Sequence, residues 1–123
     1  MNSLTNQLKA DSRTTEVFDK IVAQLLGTPG VSYPPAEPGP ARGFGSKALK
    51  VNGKIFAMVD SRGRFVVKLP HPRVVELMTD GRGASFEMGN ARWMKEWVCL
   101  VPGTEDQWAD LAREALEFVG SLE

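Results

Sequence analysis

Residues 46–60 read Ser46-Lys47-Ala48-Leu49-Lys50-Val51-Asn52-Gly53-Lys54-Ile55-Phe56-Ala57-Met58-Val59-Asp60. Two strand-like runs rich in β-branched and apolar residues flank Asn52-Gly53. Asparagine and glycine tolerate the left-handed backbone that a two-residue type I′ reversal requires, so the stretch predicts a β-hairpin. Pairing Val51 with Lys54 sets Leu49 opposite Phe56 and Lys47 opposite Met58. A second turn at Asp60-Ser61-Arg62-Gly63 leads into Arg64–Leu69. With Val59 opposite Arg64, Met58 meets Phe65 and Phe56 meets Val67. One face then carries Leu49, Val51, Phe56, Met58, Phe65, Val67 and Leu69, and is read as the core. The other carries Ala48, Lys50, Ile55, Ala57, Val59, Arg64, Val66 and Lys68.

Working outward, Val17, Phe18, Ile21, Val22 and Leu25 recur at helical spacing from Thr14 to Gly27. Residues 1–12 lack such a period and read as a flexible N-terminus, ahead of a single domain over 13–123. Residues 28–43 hold five prolines and read as a long irregular connection. After the meander, Pro72 suits the first turn of a short helix. Ala84–Met88 and Trp93–Val101 read as strands. Thr104 and Gln107 form a capping box before a helix striped by Trp108, Leu111, Ala112, Ala115, Val119 and Leu122. The order α-β-β-β-α-β-β-α gives an α+β fold, an antiparallel five-stranded sheet with helices packed on it.

The 123 residues are 42% apolar and 24% charged, an ordinary globular mix that buries about two-thirds of its unfolded surface. One cysteine and one histidine leave no intrachain disulfide and no multi-Cys or multi-His metal site. With no apolar run of about 18 residues and no N-terminal apolar stretch, the expectation is a cytoplasmic protein without a membrane span. Net charge is zero, yet residues 41–95 hold eleven Lys/Arg against four Asp/Glu, net +7, and residues 96–123 are net −6. A basic middle attracts phosphates, and an acidic tail either repels them or folds back onto it.

Catalytic constellations fare poorly. Cys99, within Val98-Cys99-Leu100-Val101, reads as a buried, inert thiol. His71, between two prolines, has no partner group in sight for general-base duty. Gly43-Phe44-Gly45-Ser46-Lys47-Ala48 matches a dinucleotide fingerprint by letter but leads into a strand rather than opening a helix. Arg42-Gly43-Phe44-Gly45 begins an RNA-recognition signature whose aromatics are missing. The expectation is no enzyme, no cofactor and no metal.

The run Gly43 to Val59, the stretch Arg64–Pro70, the Lys95-Glu96-Trp97-Val98 strand and the terminal helix together resemble the N-terminal domain of TfoX/Sxy-type competence proteins, and are similar to the MmcQ/YjbR group. The likeness covers about residues 14–120. It implies a fold like that of secretion chaperones, a bacterial cytoplasmic setting, no known enzyme activity and a suspected DNA-binding or regulatory role.

The leading expectation is therefore a non-enzymatic binding module. Lys50, Arg64 and Lys68 on the outer face would contact nucleic-acid phosphates weakly and without sequence preference, with Lys47, Lys54 and Arg62 at the edges. The alternative is a protein-interaction or homodimerisation module that uses Ile55, Val59 and Val66 on the same face. A third is a small-molecule or enzymatic site between the proline segment and the sheet, using Tyr33, Trp93 or Trp97.

Overall fold

The computed structural model describes residues 3–33, 48–60, 62–88 and 92–122. Helix α1 (Ser3–Leu25) leads through a short strand β1 (Val31–Ser32) to the meander β2 (Ala48–Val51), β3 (Lys54–Val59) and β4 (Phe65–Lys68). Helix α2 (His71–Thr79), strands β5 (Gly83–Met88) and β6 (Arg92–Leu100), and helix α3 (Trp108–Gly120) follow. The six strands form one sheet in the order β1-β2-β3-β4-β6-β5, every neighbouring pair antiparallel. The α+β class stands, with six strands instead of five. The added strand is β1, inside the proline-rich connection, where Val31 pairs with Val51 and Ser32 with Lys50. Helix α1 reaches back to Ser3, well before the Thr14 start that its apolar period suggests.

The first hairpin turns as expected. Asn52 (φ 53°) and Gly53 (φ 83°) are both left-handed, and Val51 pairs with Lys54. Beyond that pair the register departs from the sequence reading. A bulge between Leu49 and Lys50 makes Phe56 an extra residue, so Leu49 meets Ala57 and Ala48 meets Met58. Phe56 and Ala57 consequently share the inner face, and Met58 swings to the outer one. The second hairpin closes one residue wider than expected, pairing Val59 with Phe65, Met58 with Val66 and Ala57 with Val67.

The cause of the wider turn is Asp60. Its carboxylate accepts the backbone N–H of Arg62 at 3.0 Å and of Arg64 at 2.9 Å, while its own N–H donates to the Arg64 carbonyl. Gly63 donates back to the Asp60 carbonyl from a left-handed conformation (φ 77°). Asp60 thus faces Arg64, and the loop is a three-residue one with glycine at its left-handed position. The bulge at Phe56 turns Ala57 and Val59 inward, correcting their assignment to the outer face, and the wider turn brings Phe65 and Val67 into line with them.

All three helices bury their apolar stripes on the inner face. Phe18, Ile21 and Leu25 of α1, Val74 and Leu77 of α2, and Trp108, Leu111, Ala112, Ala115 and Val119 of α3 pack with Leu49, Val51, Phe56, Phe65, Val67 and Val98. Phe65 lies 5.7 Å from the Phe18 ring and 5.1 Å from Trp108, between α1 and α3. The expected capping box is not formed. The Thr104 hydroxyl donates to the Val101 carbonyl (2.7 Å) and accepts from the Trp108 indole N–H (3.0 Å), so it anchors a buried ring instead of a helix end.

The outer sheet face as candidate functional site

The outer face has its own apolar cluster. Ala48, Met58, Val66, Phe86, Trp97 and Cys99 form it, with Ile55 and Met94 packed at its margin. Each of these side chains comes from a strand, because alternation along β2, β3, β4, β5 and β6 sends every second residue away from the helices. Its centre is closed to solvent: Ala48 and Val66 have no exposure and Met58 has 1%.

This overturns part of the expected partner surface. Val66, sealed between Met58 and Cys99 in the sheet register, presents nothing to a partner. Val59 packs against the helix-side core. Ile55 alone of that trio is half-buried on the outer face, where it pairs with Lys50.

Five of the six arginines with described side chains are paired, and Arg62 is not. Among the described residues, Arg13, Arg64, Arg73, Arg82 and Arg113 each form an ion pair with a carboxylate. A planar guanidinium suits such forked pairing better than an ammonium does. Arg64 donates to Asp60 through Nε at 2.8 Å and Nη2 at 2.7 Å, and its guanidinium stands 5.8 Å from the Phe86 ring. Expected as a phosphate contact, Arg64 is instead committed to the turn that sets the register. Arg73 on α2 grips Glu114 of α3 with two hydrogen bonds, 2.9 and 3.0 Å, and also pairs with Glu76. Here the acidic tail does fold back onto one cation of the basic middle.

Lys50, Lys54 and Lys68 behave differently, forming no ion pair among the described residues. Lys50 and Lys68 lie on the outer face. Lys54 sits exposed at the Asn52-Gly53 tip opposite inward-facing Val51, and Arg62 is exposed in the second turn. The Lys68 ammonium stands 5.8 Å from the Trp97 ring, its neighbour in the β4–β6 register. Lys47, expected at the edge of this surface, lies outside the described residues, as does the glycine-rich run before it.

Tyr33 and Trp97, paired in the third expectation, part company. Tyr33 packs edge-on against Phe18 at 5.9 Å on the helix side, whereas Trp97 belongs to the outer cluster. The Trp93 side chain and most of the proline segment lie outside the described residues.

Cys99 is buried, as expected, and burial pushes its thiol up to about 11, with Asp60 adding to the shift and Arg64 opposing it. At pH 8 such a thiol holds about a hundredfold less thiolate than one at the ordinary value of 9.0. Thiol reagents should therefore modify the native protein at least about a hundredfold more slowly than the denatured chain, as followed by absorbance of the released chromophore. Equal rates would show that the outer cluster is open.

His71, at the start of α2, has its Nδ1 3.1 Å from the Lys95 carbonyl, which ties the helix to β6. Among the described residues there is no cluster of three metal-ligating side chains, and no helix is long and apolar enough to cross a membrane. No family model, curated protein or solved structure matches the chain.

Proposed function

We propose that this chain is a non-enzymatic binding module whose lysine-bearing outer sheet face takes a phosphate-rich polyanion, nucleic acid foremost. The observation that carries this reading is the division between cations. Arg13, Arg64, Arg73, Arg82 and Arg113 are spent on ion pairs, whereas Lys50 and Lys68 on the outer face are not paired with any described carboxylate. The carboxylates Asp110, Glu114 and Glu117 lie on α3, which packs on the inner side, while Asp60 and Glu87 act on Arg64 at the second turn. An approaching polyanion meets the lysines with the carboxylates of α3 behind the sheet. The resemblance to TfoX/Sxy-type domains points the same way.

Binding of this kind is weak and salt-dependent. Two phosphate contacts, at Lys50 and Lys68, give a slope of about −1.4 in log K against log salt for a single strand. Anisotropy titration of a labelled oligonucleotide should show that slope, and Lys68→Gln should flatten it by about 0.7. Asp60→Asn keeps a carbonyl acceptor for the Arg62 and Arg64 N–H groups while freeing the guanidinium of Arg64. It should tighten binding several-fold, the opposite of what loss of a structural ion pair alone would do. Absence of binding to any nucleic acid at low salt would remove the reading.

A further inference from the structure

Lys50, Ile55, Lys68 and Trp97 form a row across four neighbouring strands. Lys50 pairs with Ile55, Lys68 pairs with Trp97, and β3 lies beside β4 with Ala57 opposite Val67. The row runs at right angles to the strands, at the end of the sheet nearer the Asn52-Gly53 turn. Its two lysines sit two strand spacings apart, about 10 Å. Half-buried Ile55 stands between them, and the nearly buried Trp97 lies beside the Lys68 ammonium.

Resting on the polyanion reading, we propose that the ligand of this face is single-stranded nucleic acid, laid across the strands with phosphates on Lys50 and Lys68 and unpaired bases against Ile55 and the rim of Trp97. The case turns on dimensions and on what a duplex can offer. The major groove, about 12 Å wide, admits a helix or a two-stranded ribbon. A six-stranded sheet is about 24 Å across, and at this row Ser32 of β1 flanks Lys50 on the outside. The face therefore cannot enter a groove, and a duplex would touch it through phosphates alone. Ile55 would then be pressed against a charged backbone, losing water for nothing. An unpaired strand leaves base faces free, and these cover apolar side chains while adjacent cations hold the backbone. The sealed centre around Val66 and Met58 confines the footprint to this row.

The test compares oligothymidine with a hairpin duplex of equal phosphate number, by anisotropy at low salt. The single strand should bind about tenfold more tightly, a difference in the range of one stacked base. Ile55→Thr, which keeps the β-branched shape, should weaken single-strand binding several-fold and leave duplex binding unchanged. Equal affinities, or tighter duplex binding with Ile55→Thr silent, would overturn this proposal while leaving the polyanion reading in place. If neither oligonucleotide binds, the polyanion reading falls and takes this one with it.

Discussion

Val66→Glu should destabilise the protein severely at neutral pH. Val66 is fully buried on the outer face of β4, paired with Met58 on one side and Cys99 on the other. The substitution forfeits the burial of a valine, about 1.5–3 kcal/mol, and puts a carboxyl group into a site closed to solvent and lined by Met58 and Cys99. Of the cations two residues away along the chain, Arg64 is already held by Asp60 and the Lys68 ammonium stands over the Trp97 ring. The combined cost of about 4 kcal/mol or more is a large share of the roughly 5–15 kcal/mol that a domain of this size has. The buried carboxyl would have its pKa raised, so the variant's stability is greatest below the ordinary Glu value and lost as pH rises through the raised one. Circular dichroism should accordingly show more folded protein at pH 5 than at pH 8. Ile55→Glu, at the half-exposed margin, should cost only about 1 kcal/mol. A Val66→Glu protein as stable as the parent would show that the outer face is open, and would restore Val66 as a partner residue.

That contrast shows where sequence reasoning reached and where it stopped. The Asn52-Gly53 reversal was legible because two adjacent residues determine a backbone that few others adopt. The helical stripes of α1 and α3 were legible because their spacing repeats over several turns. The register beyond the first hairpin was not. Alternation in Lys54–Val59 is nearly uniform in apolarity, with Ile55, Phe56, Ala57, Met58 and Val59 in succession, so either face could be the inner one. What decides it is a bulge at Phe56 and the Asp60 carboxylate drawing in two backbone N–H groups. The Asp-Ser-Arg-Gly sequence contained that second signal: aspartate at the start of a turn caps the backbone two residues on, and glycine takes the left-handed position.

The same limit applies to the candidate site. Positions of positive charge are visible in a sequence, but whether each charge is spent is not. By sequence Arg64 and Lys68 are equivalent cations of one strand face, yet the Arg64 guanidinium is held by Asp60. Ser32 and Val31 looked like part of a proline-rich connection, and only their pairing with Lys50 and Val51 widens the sheet to six strands. The lysines are legible as candidates because an ammonium on a flexible stem is the less favoured partner for a fixed, forked carboxylate contact.

Trp108→Ala should cost about 3–5 kcal/mol, the range for removing a large buried aromatic. Trp108 is 1% exposed, and its ring centroid lies 5.1 Å from that of Phe65, which in turn meets Phe18 of α1. Removing the indole opens a hole where α3, β4 and α1 converge, and strands the Thr104 hydroxyl that now receives the indole N–H. Only part of that hole can close, because Phe65 is held in the middle of the sheet by β3 and β6. At about 4 °C per kcal/mol for a domain of this length, the melting temperature should fall by about 10–20 °C. Trp108→Phe keeps most of the ring packing and loses chiefly the hydrogen bond, so its cost should be nearer 1–2 kcal/mol. Thr104→Val removes the acceptor while the indole stays buried and unpaired, and should therefore cost at least as much as Trp108→Phe. In a double-mutant cycle the two changes should be strongly non-additive, since either one breaks the same bond. If Trp108→Phe and Thr104→Val add independently in thermal or urea unfolding, the indole bond contributes nothing and the start of α3 is held by packing alone.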